Sequence, residues 1–161
     1  MSYYQDLTCH AYSDCTWALT VGTPYIFINI GWLDAAYPYT HGEIVPQDKE
    51  LLLDMMFEFC RYPVCRYRGV HVCQYCTHQD SKFDLITVQK NHATVSLGNG
   101  SIMVQGRNNL VYVAPTLVYH YVAEHNYMPP DEFIHAVFTT HSFQFFHDIY
   151  TQHLQRRSQL S

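Results

Sequence analysis

Cys73 and Cys76 flank Gln74 and Tyr75, and a C-x-x-C pair places two soft sulfur donors at the spacing of a metal-binding knuckle or a redox dithiol. A redox pair normally sits where a strand meets a helix, with one thiol activated at the helix N-terminus. The stretch from Arg68-Gly69 to Ser81 is loop-like instead, which favours the knuckle. Zinc in a structural site takes four ligands, so two more donors must come from elsewhere in the chain. His120 and His125 stand in an H-x4-H arrangement, within the range used by zinc-binding helices. The expected metal set is therefore Cys73, Cys76, His120 and His125, holding one zinc ion. Five residues on an ideal helix turn through about 500°, so the two rings start roughly 140° apart and the helix end must tighten or unwind. Asn126 follows directly and can adopt the left-handed conformation that ends a helix.

Other donors crowd the region. Cys60, Cys65, His71 and His78 could replace one or both histidines, and Cys60 or Cys65 with His71, Cys73 and Cys76 would make a local four-ligand loop. The spacing leaves these alternatives open.

Three functions are compatible with such a site. A closed four-ligand site suits a non-catalytic protein in which zinc stabilises the fold, acting as a regulatory or partner-binding module. A zinc hydrolase acting on nucleic acid or peptide would need an open coordination position and a base, for which Glu124, beside His125, is the only suggestive carboxylate. The chain contains no H-E-x-x-H pattern and no glycine-rich phosphate loop, which weighs against the hydrolase. A thiol redox protein using Cys73 and Cys76 is the third class. The first reading is preferred.

The elements that must position these donors follow from periodicity and turn chemistry. Tyr25 to Leu33 is a β-branched and aromatic run suited to a buried strand. Residues 34–47 read as a loop leading to Asp48 as N-cap of a helix from Lys49 to Cys60. In that helix Glu50, Asp54 and Glu58 recur at four-residue intervals as the wet face. Phe83 to Val88 reads as a further strand. Ala93–Leu97 and Ile102–Gln105 flank Gly98-Asn99-Gly100, which predicts a hairpin. Gly106 to Asn109 makes a second turn and Leu110 to Val113 another strand. Ala114-Pro115-Thr116 is expected to open the helix that carries His120, because proline is tolerated in a first turn. Pro129-Pro130-Asp131-Glu132 opens the next helix, and a last one runs from about Phe143 to Leu154, with residues 155–161 frayed.

These elements predict one α+β domain over residues 1–161: a small antiparallel sheet packed with about four helices, containing a zinc-knuckle or ββα-like site. A length of 161 residues is that of one ordinary domain. Only 14% of residues are charged, well below the average of about 25%, so a packed core rather than disorder is expected. Fourteen Tyr and nine Phe point to rings at the core boundary or in an interface, with another protein or a second copy as partner. The net charge of −5 disfavours general nucleic-acid binding. Arg61, Arg66 and Arg68 fall within eight residues and read as a solvated loop. No stretch reaches the roughly 20 apolar residues of a membrane span, and the N-terminus lacks the basic start of a signal peptide. A cytoplasmic protein with reduced or metal-bound cysteines is expected.

Five segments together resemble an uncharacterised family of small bacterial proteins: Gly31-Trp32-Leu33-Asp34, Arg68-Gly69-x-His71-x-Cys73-x-x-Cys76, Leu97-Gly98-Asn99-Gly100, Tyr112-x-Ala114-Pro115, and His120-Tyr121-Val122-x-x-His125-x-Tyr127-x-Pro129-Pro130. The resemblance covers most of residues 31–137. It implies that the paired Cys and the paired His belong to one design, and it brings no activity with it. The His-rich aromatic tail departs from the pattern, so partner surfaces there would be the chain's own.

Overall fold

Strands β4 (Ser101–Gln105) and β5 (Leu110–Pro115) are apolar almost throughout because both faces of their sheet are covered. Alternate residues separate cleanly. Ile102, Val104, Tyr112 and Ala114 enter one core, while Met103, Val111 and Val113 enter a second on the opposite face. The computed structural model describes residues 3–10, 24–76 and 85–160. Strand β1 (Ile26–Asn29) lies parallel to β5, and β4 lies antiparallel to it, giving the order β1-β5-β4. A parallel partner so distant in sequence requires a long crossover. Helix α1 (Pro46–Arg61) and the hairpin of β2 (Ile86–Lys90) with β3 (Ala93–Leu97) lie in that crossover.

The larger core lies between this sheet and α1, α2 (Val118–His125) and α3 (Asp131–Phe138). Leu52, Met56 and Phe57 of α1 meet Leu117, Val118 and Val122 around α2, together with Phe133 and Val137 of α3. The carboxylate stripe of α1 faces outward as expected, with Asp54 paired to Lys90 at 2.6 Å. Across the sheet, α4 (Phe145–Leu160) seats Phe146 among Phe27, Met103, Val111 and Val113. It is fastened further by His147 Nδ1 to the Pro63 carbonyl at 2.7 Å and by the Arg66 amide donating to the Tyr150 hydroxyl at 3.2 Å. The α+β class is as expected, with four helices and two small sheets among the described residues.

Several local expectations are corrected. The Gly98-Asn99-Gly100 segment does not close a hairpin: β3 pairs with β2, and β4 pairs with β5. Asn91 and His92, both at positive φ (49° and 65°), form the two-residue turn between β2 and β3, the backbone form that matches strand twist. Helix α1 begins at Pro46 with Val45 at the cap, so Asp48 lies in the first turn, where its charge suits the helix dipole, and is not the N-cap. Pro115 ends β5 opposite Ser101 and does not open α2. Proline at a strand end forfeits no interior ladder bond. The C-terminal helix runs to Leu160, so residues 155–160 continue it rather than fray. Phe83 and Asp84 lie outside the described residues.

Released from hairpin duty, Gly98 has another task. Its amide donates to Thr116 Oγ1 at 2.9 Å, and its carbonyl accepts from the His71 amide at 2.8 Å. At φ 111° a Cβ would collide with the His71 carbonyl oxygen, a backbone atom that cannot swing aside. Gly98→Ala should therefore lower stability by more than about 2 kcal/mol, or several degrees in thermal midpoint at roughly 2–4 °C per kcal/mol. Calorimetry on the variant checks this.

Candidate metal centre

Helix α2 is buried from Val118 to Val122, so His120 is held among packed neighbours with only 9% of its surface exposed. The last turn solves the angular problem of the H-x4-H spacing. Asn126 caps α2 in the left-handed conformation, φ 51° and ψ 28°, and its amide reaches back five residues to the Tyr121 carbonyl. The Tyr127 amide donates to that same carbonyl at 3.2 Å. A turn closed over five residues is wider than a regular one and brings residue 125 toward the face of residue 120. The Nε2 atoms of His120 and His125 then lie 3.1 Å apart.

The other half of the site arrives on the loop after α1. Val64 bridges to Ser101, the Tyr67 amide donates to the Asn99 carbonyl and the His71 amide to that of Gly98, so the loop is pinned along residues 98–101 before it reaches Cys73. Gln74 Oε1 accepts from the Ala35 amide at 2.8 Å. The amides of Tyr75 and Cys76 donate to the Cys73 sulfur, the bonding pattern by which a knuckle stabilises a thiolate.

Cys73 Sγ lies 3.2 Å from His125 Nε2, and Cys76 Sγ lies 3.1 Å from His120 Nε2 and 3.4 Å from His125 Nε2. All four donor atoms fall within 4.8 Å of one another. Bond lengths of about 2.3 Å to sulfur and 2.0–2.1 Å to nitrogen would set tetrahedral donors about 3.3–3.8 Å apart. The observed separations are within a few tenths of an ångström of that range where they are shortest. Two sulfurs and two imidazole nitrogens thus form a Cys2His2 group that could hold a metal ion.

Burial opposes charge on the bare donors. It pushes the Cys73 thiol up to about 11, against the lowering effect of the two amides. The His120 imidazole is held below its ordinary value by burial first and by His125 second, with Glu124 acting in the other direction. Aromatic rings complete the enclosure. Tyr75 packs against Tyr39, Tyr121 and His125, and the Tyr39 hydroxyl donates to the His125 carbonyl at 2.9 Å.

The alternative donors are elsewhere. Cys60 is in the core, its thiol donating weakly to the Thr116 carbonyl at 3.8 Å and pushed up to about 12 by burial. Cys65 is disulfide-bonded, which corrects the expectation that all the cysteines are thiols or ligands. His71 serves through its backbone, with its ring against Tyr67, and His78 lies outside the described residues. Glu124 is exposed, as are Arg61, Arg66 and Arg68. Tyr39, Gln74 and Gly98 support the centre without being singled out by spacing. Only Gly98 carries a sequence signal, and that signal equally suits a hairpin turn.

An α+β fold that presents such a group from a pinned loop and a helix end defines the class of the molecule. The chain matches the family described as Domain of unknown function (DUF7919) over residues 2–138, and it belongs to that family. Comparison with curated proteins and with solved structures found no match. Helix α4 lies beyond the matched residues.

A metal at this centre must displace protons from thiols and compete with protons for imidazoles. Lower pH favours the proton-bound donors, so loading should fall as pH is reduced from 8 to 5. Cobalt(II) added to metal-free protein should develop the visible absorption of tetrahedral thiolate coordination at pH 8 and lose it on acidification.

Proposed function

We propose that this chain is a non-catalytic zinc-binding protein, with zinc held by Cys73, Cys76, His120 and His125 as a structural ion, and that it works by binding another protein or a second copy of itself. The observation that carries the reading is the convergence of two sulfurs and two nitrogens within 4.8 Å. Mixed sulfur and imidazole donors in a tetrahedral arrangement suit zinc. Four protein ligands fill that tetrahedron, leaving no position for a substrate or an activated water. The exposed Glu124 lacks the enclosed setting expected of a general base.

The partner half of the reading rests on exposed apolar side chains. Leu7, Ile26, Tyr37, Val45, Leu51 and Leu154 leave between 44% and 63% of their surfaces exposed, and aromatic and apolar side chains are favoured at interface centres. No helix among the described residues is long and apolar enough to cross a membrane. The reading places the protein in the cytoplasm, where thiols stay reduced. Free Cys9, Cys60, Cys73 and Cys76 support that location, and the Cys65 disulfide argues against it.

Elemental analysis of protein purified without chelator should give about one zinc per chain, and Cys73→Ser should lose both the zinc and thermal stability, because a structural ion's binding energy is part of the folding energy. A variant that loses zinc yet melts like the parent would exclude a structural role. Glu124→Gln should leave metal content and melting unchanged. A chelator-sensitive hydrolysis of nucleic acid, peptide or phosphoester that drops roughly 10²- to 10⁴-fold in this variant would replace the proposal with the hydrolase.

A further inference from the structure

The two sulfurs of the centre differ in their access to solvent. Cys73 keeps 2% of its surface exposed and accepts two knuckle amides, whereas Cys76 is half-buried. The thiols are nevertheless in hydrogen-bond contact with each other, and the C-x-x-C spacing allows them to join. Of the other free cysteines among the described residues, Cys60 is enclosed in the core and Cys9 is exposed near the start of the chain. One thiolate of the centre is therefore reachable by a small oxidant, and its neighbour is placed to resolve the product, the arrangement of an oxidation-sensitive pair.

We propose that Cys76 is an oxidation site at which a hydroperoxide releases the bound metal, with Cys73 as the resolving thiol. The proposal rests on the zinc reading above. Thiolate sulfur of Cys76 attacks one peroxide oxygen, the O–O bond breaks, and hydroxide leaves and takes up a proton to become water. Sulfur is oxidised by two electrons to the sulfenic acid, and the peroxide is reduced. Thiolate sulfur of Cys73 then attacks Cys76 sulfur, the S–S bond forms, and a second hydroxide leaves and is protonated. The sum is two thiolates, one hydrogen peroxide and two protons giving one disulfide and two waters. A disulfide sulfur is a poor metal ligand, so two histidines alone remain and the ion departs.

Release would act on defined parts of the fold. The loop keeps its bonds to residues 98–101 and its Gln74 bond to Ala35, so the knuckle stays near α2 and the change is reversible. What is lost is the tie between the knuckle and the helix end that carries His125, next to the Tyr39–Tyr75–Tyr121 group.

The test uses zinc-loaded full-length protein, and the same chain carrying Cys9→Ser, titrated with hydrogen peroxide while a chromogenic chelator reports free zinc and mass spectrometry maps the thiols. Zinc release in step with a Cys73–Cys76 disulfide, equal in both proteins and reversed by dithiothreitol with added zinc, is expected. Cys76→His, which keeps a four-donor set but cannot form the disulfide, should retain zinc at peroxide doses that strip at least half from the parent. Zinc that stays bound while Cys9 is oxidised overturns the proposal, as does zinc release with Cys73 and Cys76 still alkylatable. Protein that neither contains nor takes up zinc before any peroxide is added fails the underlying reading instead, and the oxidation site falls with it.

Discussion

Two imidazole nitrogens 3.1 Å apart, each facing a cysteine sulfur at 3.1–3.4 Å, cannot all carry protons. At most one proton can lie between each facing pair, Cys73 with His125 and Cys76 with His120, and the two nitrogens then still face each other. Lone pairs left facing one another in a buried site are also unfavourable. A single cation satisfies all four at once. Apparent binding energies of structural zinc in small peptides are about 10–16 kcal/mol, against a net stability of about 5–15 kcal/mol for a typical domain. An ion here would therefore be comparable in size to the net stability of a whole domain.

That constraint explains the connections around the centre. Cys73 and Cys76 come from one side of the chain and His120 and His125 from the other, and residues 98–101 lie between them in space. Gly98 binds His71 on the knuckle side and Thr116 at the entrance to α2, and the Gly100 carbonyl accepts from the Thr116 amide at 3.0 Å. Thr116 is 1% exposed, so these bonds are made away from water, where an unmet partner costs most. The segment is a hub between the two ligand pairs, and Gly98, at φ 111° against the His71 carbonyl, is the glycine that this role requires.

The candidate site was largely legible in the sequence, because ligand chemistry is local in each half: a C-x-x-C knuckle and a histidine pair with Asn126 after it. What joins the halves was less so. Gly98-Asn99-Gly100 satisfies the residue preferences of a hairpin turn, and only the pairing of β3 with β2 shows that it is something else. Asn91-His92 gives a weaker turn signal than a glycine-containing pair, since positive φ is uncommon for any non-glycine residue even though Asn and His adopt it more readily than most. Pro115 is equally at home in a first helical turn and at the end of a strand, and the difference is decided by Ser101 across the sheet. Asp48 yields the helix start to a proline two residues earlier, which begins α1 without needing a side-chain acceptor. For the glycine segment and Pro115, the deciding contact is with a neighbouring strand, outside the few residues that carry the local signal.

The abundance of tyrosine points to rings at the core boundary or in an interface, and the structure puts several of them within or at the boundary of a core with their hydroxyls bonded. Tyr127 donates to Asp6 at 2.7 Å, Tyr112 to Glu132 at 3.0 Å and Tyr39 to the His125 carbonyl, while Tyr150 accepts from the Arg66 amide. Each ring contributes apolar area to a core or to the centre while its hydroxyl joins separate segments: Tyr127 ties down the N-terminal segment, Tyr112 holds α3, Tyr39 holds the end of α2, and Tyr150 secures α4. Tyrosine is suited to this because one end is apolar and the other can make a hydrogen bond. In a chain with few charges, such bonds do the cross-linking that ion pairs would otherwise do. The count of aromatic residues is therefore weaker evidence for a partner surface than the apolar side chains left exposed.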